Sequence, residues 1–513
     1  MLDTSIIEQL KSVYQNLETE ITLLYSESEH QKQKELIEML TQVASTSTKI
    51  LVKNSSSKKD APHFEILKDG IQTGINFTGI PGGHEFTSLV LAILNTDEKG
   101  KLPDDRIIQR IKNLEGDIKL RTFISLSCEN CPDIVQALNI MAIFNENIKH
   151  EMVDGEFAQK EAEELKLQGV PSVVCNGELI HSGKSTLTNL LETLETKFKT
   201  KELAQQDLGS FDVVVVGGGP AGISSAIYTA RKGLKTLVIT DKIGGQLQET
   251  KGIENFISIP YTEGPDLSAA IAKHALEYDL QILEHRRLES IENGDLKTLN
   301  LSSNETLTTK ALIIATGAKW KELGVEGEKK YLGRGVAFCP HCDGPYYKEK
   351  DICVIGGGNS GVEAAIDLSA IASKVTLIEF SEELKADEIL VKKLNSLPNV
   401  EILTNSATKK IMGNEDKVTS IEVENRSTGN LSKLDLDGVF VQIGLSPNSE
   451  TFKNLVNLNP YGEILIDDKC RTNIDKVYAA GDVTSVPYKQ IIISMGEGAK
   501  AGLTAFEDLV LGS

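Results

Sequence analysis

Along the chain, apolar positions recur first at helical spacing and then at strand spacing. "SIIEQLKSVYQNL" and "QKELIEMLTQVAS" place apolar residues three and four apart, which predicts two amphipathic helices. "KILVKN", "HFEILKD" and "GINFTGI" are short apolar or alternating runs, the pattern of strands. From Lys119 the order becomes strand "KLRTFIS", helix "PDIVQALNIMAIF", strand "IKHEMVD", helix "AQKEAEELK", then "GVPSVVCNGELI". "TKFKTKELAQQDLGS" has no period and predicts a linker. Beyond it, glycine-rich turns alternate with strands and helices to the end, so the expected class is α/β.

Length and charge narrow the picture. At 513 residues the chain exceeds one compact core and predicts three or four domains. A formal net charge of −20 argues against nucleic acid and anionic membrane surfaces as partners. The N-terminus "MLDTSIIEQLKSVYQ" lacks the basic end and apolar run of a signal peptide. No apolar run reaches the roughly 18 residues that span a bilayer. The expected location is therefore the cytoplasm. Seven cysteines in such a chain do not suggest a disulfide framework. Cys353, inside "ICVIG", reads as a small buried apolar residue.

Two glycine fingerprints carry the first chemistry. "FDVVVVGGGPAGISSAIYTARKG" is a strand, then Gly217, Gly219 and Gly222 at G-x-G-x-x-G spacing with Pro220 and Ala221 between, then a helix. "KDICVIGGGNSGVEAAIDLSAI" repeats the design with Gly356, Gly358 and Gly361 around Asn359 and Ser360. Such glycines permit a tight turn and let backbone approach a pyrophosphate at a helix N-terminus. Two copies, each between strand and helix, predict two nucleotide sites. In the later unit "KVTLIEF" ends on Glu379, placed to accept ribose hydroxyls and to repel a 2′-phosphate. The following "FSEEL" adds acids and no arginine, so NADH is expected over NADPH; a buried charged mismatch costs about 1–3 kcal/mol. In the earlier unit the nearest acid is Asp241. "ATGAK", with Thr316 and Gly317, and "VYAAGDVT", with Gly481 and Asp482, have the form of strands ending beside a long cofactor. A first nucleotide unit interrupted by a second and then resumed predicts FAD plus a pyridine nucleotide.

Four cysteines form two C-x-x-C pairs, "SLSCENCPD" (Cys128, Cys131) and "FCPHCDGP" (Cys339, Cys342). A zinc site is the competing reading, but zinc ribbons keep their pairs roughly 15–20 residues apart, and here a linker intervenes. No metal is expected. Cys339 and Cys342 lie between two cofactor motifs, within a flavin's reach, with Asp343 as acid/base for the departing thiol. His341 is either a tuner of the thiolate or an ordinary loop residue. Cys128 and Cys131 stand at a helix start, which favours a thiolate by about 0.3–1 kcal/mol, while Glu129 opposes it. The expected outer pair is therefore biased towards giving electrons away.

Strand, C-x-x-C, helix, and Val-Pro at Pro171 resemble the thioredoxin fold, in which that proline is cis and packs against the disulfide. "TGIPGGHEF", with Pro81, is the candidate echo of "QGVPSVV" in an earlier copy that has no cysteine. Residues 210 to 513 resemble the low-molecular-weight thioredoxin reductase class of flavoproteins through "GAKW", "CPHCDGP", "GGGNSGVEAAIDL", "FVQIGL" and "VPYKQIII". With its N-terminal extension the chain resembles the branch of that class that reduces peroxiredoxins with NADH.

The resemblance implies two fused thioredoxin-like folds, at 1–100 and 101–195, the second redox-active. It further implies a linker at 196–210, an FAD-binding domain at 211–326 and 450–513, and an NAD-binding domain at 327–449. It implies a homodimer with one FAD per protomer, Cys342 facing the flavin, Cys339 exchanging with the N-terminal pair, Cys128 attacking the partner and Cys131 resolving. Gln246, Asn255, Gln490 and Ile491 match flavin-contacting positions, and Glu85 an acid near the N-terminal disulfide. Two further enzymes fit the flavin part alone: a hydrogen-peroxide-forming NADH oxidase, and a thioredoxin reductase acting at the inner disulfide.

Overall fold

A computed structural model describes residues 2–511 except 129, 168, 250–252, 254, 255, 329, 333, 339 and 415. Strands Ile21–Glu27, Ile50–Lys58, His63–Lys68 and Ile71–Thr78 share one eight-stranded sheet with Ile118–Ile124, Ile148–Asp154, Ser172–Cys175 and Glu178–Ser182. Within each set of four the spatial order is second, first, third, fourth. The first two strands of each set run parallel and the remaining pairs antiparallel. Parallel pairing of Ile71–Thr78 with Ile148–Asp154 fuses the sets edge to edge. The repeat expected from sequence is thus present as topology.

The proline match is corrected. Pro171 directly precedes the third strand of its set, in a cis peptide after Val170. Its topological equivalent is Pro62, just before His63–Lys68, whereas Pro81 follows the fourth strand. "TGIPGGHEF" and "QGVPSVV" share an apolar-Pro-small string because both leave or enter a strand through a turn, and the string carries no strand order.

One apolar core under the sheet joins both sets. Phe64 and Phe77 stack at 4.9 Å, and Leu23, Ile93, Leu138, Met141 and Leu191 belong to the same core, all fully buried. Cys128 and Cys131 belong to the same cluster.

Contacts divide the chain into two units. Unit 1 is Met1–Lys201 with Glu322–Gly444, and unit 2 is Glu202–Lys321 with Leu445–Ser513. The stretch 196–210, expected as a linker, is largely structured. Lys199–Thr200 pairs with Leu114–Glu115, and Gln206 begins a strand whose register opens on Glu305. Its polar edge residues gave no period to read.

Unit 2 centres on parallel strands Leu280–Leu283, Thr236–Ile239, Gln206–Val216, Glu305–Ile314 and Val477–Ala479. The second nucleotide portion, in unit 1, is a parallel sheet of Val336–Ala337, Gly438–Val441, Asp351–Ile355, Lys374–Ile378 and Val400–Leu403. An antiparallel meander, Ser406–Gly413, Val418–Asn425 and Leu431–Asp435, accompanies it. Unit 2 is left and re-entered through one antiparallel ribbon, Ala318–Trp320 against Leu445–Pro447. Among the described residues no helix is long and apolar enough to cross a membrane.

Candidate functional site

In unit 2 the three fingerprint glycines do three different jobs. Gly217 has φ +118°, and a Cβ there would run into the Ala315 carbonyl oxygen of the neighbouring strand. A Cβ on Gly222 would run into the Gly217 carbonyl oxygen, so this glycine lets helix Pro220–Arg231 pack on the turn. Gly219 caps that helix and faces open space, its nearest neighbour being the Gly244 oxygen at 4.0 Å. Close approach, helix packing and an open amide edge are what a pyrophosphate cradle requires.

The other positions assigned to the flavin gather on this loop. Gly244 donates its N–H to the Gly218 oxygen at 2.8 Å, which lays Gly245, the residue before Gln246, beside Gly219. Thr316 donates its hydroxyl to the Asn448 carbonyl at 2.7 Å, and Asn448 Nδ2 donates back at 2.9 Å, fixing the turn at Gly317. Gly481, at φ +78°, stands so close to Ala221 that a Cβ would lie 2.8 Å from that side chain. Asp482 Oδ1 accepts from Ser494 at 3.0 Å, and Gln490 caps the helix Ile491–Phe506. Asn255 lies outside the described residues. The close-packed turn and the open backbone edge at Gly219 fit the pyrophosphate of FAD.

The loop in unit 1 repeats the division of labour. A Cβ on Gly356 would meet the Gln442 carbonyl, one on Gly361 would meet the Gly356 oxygen, and Gly358 faces open space. Asn359 and Asp387 exchange two hydrogen bonds, at 2.8 and 3.0 Å, beside the exposed Ser360. Glu379 folds back on the loop and accepts from the Gly357 N–H at 2.5 Å and the Ser381 N–H at 2.7 Å.

Cys128 and Cys131 form a disulfide with Cα atoms 5.6 Å apart. Cys131 starts helix Cys131–Phe144, while Cys128 sits in the preceding turn and donates its N–H to the Ser125 oxygen. Both are buried, Cys128 at 1% exposure, so no protein partner reaches this pair in the arrangement described. Cys339 and Glu129 lie outside the described residues; Cys342 and His341 lie on the helical turn Pro340–Asp343, with only their backbone described. Tyr346, three residues beyond Asp343, is half-buried and packs both on the core that holds Cys128 and Cys131 and on that of the second nucleotide sheet. A Lys166–Asp416 ion pair at 2.8 Å adds a second, exposed tie between the same two portions of unit 1.

Residues 211–498 match the family described as pyridine nucleotide-disulphide oxidoreductase, and residues 117–195 match the one described as thioredoxin domain. The chain is 46% identical to the F subunit of alkyl hydroperoxide reductase from Pseudomonas putida over 514 residues, 99% of either chain. This chain belongs to the family of alkyl hydroperoxide reductase F subunits, within the pyridine nucleotide-disulphide oxidoreductases. A Bacillus subtilis (strain 168) protein named NADH dehydrogenase is 45% identical over 510 residues, 99% of either chain. Among solved structures, the thioredoxin reductase of Lactococcus lactis superposes with a TM-score of 0.55 at 34% identity, covering 59% of this chain and 99% of that one.

Two carboxyls, one following Cys342 in sequence and one on a segment bonded to that of the outer disulfide, are strongly shifted by their surroundings. Burial pushes the Asp343 pKa up to about 7. Glu85 is fully buried and is also pushed up to about 7, mainly by burial, with Asp133 and Asp154 adding to the rise and Ser88 opposing it. Its segment is tied to the outer disulfide's, His84 N–H donating to the Leu126 oxygen at 3.3 Å. Burial thus places both acids where their charge changes near neutrality.

Glu85 also predicts a pH-dependent stability. Its pKa rises on folding, so the unfolded chain ionises first. The stability present below pH about 4.5 is lost as pH climbs to about 7, and the deficit is constant above. Glu85→Gln is expected to change nothing at the acid end and to gain about 3 kcal/mol above neutrality. Chemical denaturation at several pH values measures it, and a pH-independent gain contradicts the assignment.

Several residues that hold this site were not legible as such. Gln442, inside "FVQIGL", donates to the Phe338 oxygen at 2.8 Å and ties the segment before Cys339 to the glycine loop. Lys489 donates to the Thr484 carbonyl and pairs with Glu463 at 2.9 Å, shaping the approach to Gln490. Tyr346 stood beside "CPHCDGP" without a pattern to mark it.

Proposed function

We propose that this chain takes an electron pair from NADH and delivers it through Cys339–Cys342 and then Cys128–Cys131 to the disulfide of a peroxiredoxin. The observation that carries this reading is Tyr346, which seats the segment following Cys342 against the core that contains the outer pair. The unit 2 loop, with Gly217, Gly219 and Gly222, would hold FAD, which would supply a carrier for the hydride equivalents of NADH on their way to the inner disulfide.

The remaining steps belong to the chain's own sulfurs and acids. The Cys339 thiolate attacks the outer disulfide, a mixed disulfide forms, and Cys342 displaces it, so the inner pair is oxidised as the outer pair is reduced. Asp343 holds the proton exchanged at the inner pair, and Glu85 the one exchanged at the outer pair. Cys128 then attacks the peroxiredoxin disulfide and Cys131 resolves the adduct. Because Cys128 is buried against its own chain, this last exchange requires the thioredoxin-like portion to swing away first. Two pairs are needed because one must meet the flavin and the other a separate protein. The name of the Pseudomonas putida relative, one component of an alkyl hydroperoxide reductase, supports the downstream partner. The chain works as a homodimer with one FAD per protomer, in the cytoplasm.

Tyr346→Ala tests the carrying observation. Losing this half-buried aromatic contact is expected to slow inner-to-outer transfer about ten-fold. NADH should still bleach the flavin at its usual rate in anaerobic stopped flow. Transfer at the wild-type rate would remove the support that Tyr346 lends.

A further inference from the structure

The strand end at Glu379 has a neighbour that its local sequence does not show. Arg426, just past the end of strand Val418–Asn425, lays its guanidinium 3.6 Å from the centre of the Phe380 ring. Its Nη1 donates to the Phe380 carbonyl at 2.8 Å and lies 3.4 Å from Asn405 Oδ1. Backbone bonds lock the frame: Arg426 N–H to the Asn405 oxygen at 2.9 Å, and Asn405 N–H to the Ser381 oxygen at 2.7 Å. Phe380 nevertheless stays 57% exposed.

With a guanidinium pinned on one face, the ring remains more than half exposed. That exposed ring belongs to the residue directly after Glu379, whose carboxylate already folds over the glycine loop. A dinucleotide with its pyrophosphate on that loop and its adenosine ribose on Glu379 leads its base outward past the strand end. We infer that Phe380, held flat by Arg426, is the platform on which the adenine of the dinucleotide stacks. Phe380 is then a binding residue and Arg426 a positioning residue that acts through it. The inference rests on the reading of Glu379 as the ribose ligand.

Two probes separate adenosine from nicotinamide. ADP-ribose carries adenosine and pyrophosphate but no nicotinamide, and reduced nicotinamide mononucleotide carries no adenosine. In calorimetric titration of the holoprotein, Phe380→Ala is expected to weaken ADP-ribose about ten-fold. Phe380→Leu, which keeps apolar bulk without a ring, is expected to do the same. The efficiency of NADH relative to the mononucleotide in flavin reduction should fall by the same factor. Arg426→Met should weaken ADP-ribose about three-fold, and Arg426→Lys, which keeps the charge without the plane, should fall between it and wild type. ADP-ribose affinity unchanged in both Phe380 variants, while Glu379→Gln weakens it, overturns the platform. Affinity unchanged in Glu379→Gln overturns the ribose reading beneath it.

Discussion

Cys128→Ser is expected to lower peroxiredoxin-dependent NADH oxidation about a thousand-fold or more, the usual scale for deleting a nucleophile. Serine at neutral pH offers no thiolate, and Cys131 alone, the first residue of its helix and fully buried, has no partner sulfur to close a disulfide. The inner pair and the flavin cradle are untouched, so NADH oxidation by oxygen should persist. The pattern separates the proposed relay from its rivals. An enzyme handing electrons to oxygen at the flavin, or one serving its client directly from the inner disulfide, loses nothing on this substitution. Client turnover that survives Cys128→Ser would falsify the relay.

Gly222→Ala is expected to yield protein with less than about a tenth of its flavin and with lowered stability. The new methyl would collide with the Gly217 carbonyl, and both parties are backbone, so the helix must shift away from the turn. Overpacking of this kind costs about 1–3 kcal/mol. It also retracts the helix N-terminus from the pyrophosphate position. Gly219→Ala is the informative contrast. Gly219 has φ −74° and open space around its Cβ direction, so alanine fits the fold there. Its methyl instead intrudes where backbone must approach a phosphate. The expectation is unchanged thermal unfolding of the flavin-free protein with a much reduced flavin-to-protein absorbance ratio. Full flavin occupancy in Gly219→Ala would mean that the cofactor does not use this turn.

The parts of the molecule legible in sequence were those whose chemistry is local. Each G-x-G-x-x-G stands between an apolar strand and a helix; its first and third glycines each face a backbone carbonyl and its middle one faces open space, the division of labour that the spacing anticipates. Cys353 is fully buried, as its apolar run implied. What sequence concealed depends on contacts across the chain. Arg426 reaches Phe380 from the end of another strand, so a scan of the residues after Glu379 finds no arginine although one lies against them. Pro62 and Pro171 are equivalent through strand order, which no string comparison carries. The polar stretch that starts at Gln206 is strand because Glu305 and Thr306 lie opposite, not because of its own period.

The ribbon of Ala318–Trp320 and Leu445–Pro447 has a consequence for how such a chain arose and is handled. The intervening 322–444 begins and ends on two strands already hydrogen-bonded side by side. Excising it and bridging the gap with a few residues asks nothing of the surrounding sheet. Its own termini are equally close, and the parallel sheet from Val336 to Val441 lies wholly within it. The insert therefore has the makings of a cassette, separable by gene surgery into a free-standing nucleotide-binding protein and a shorter flavin-binding remainder.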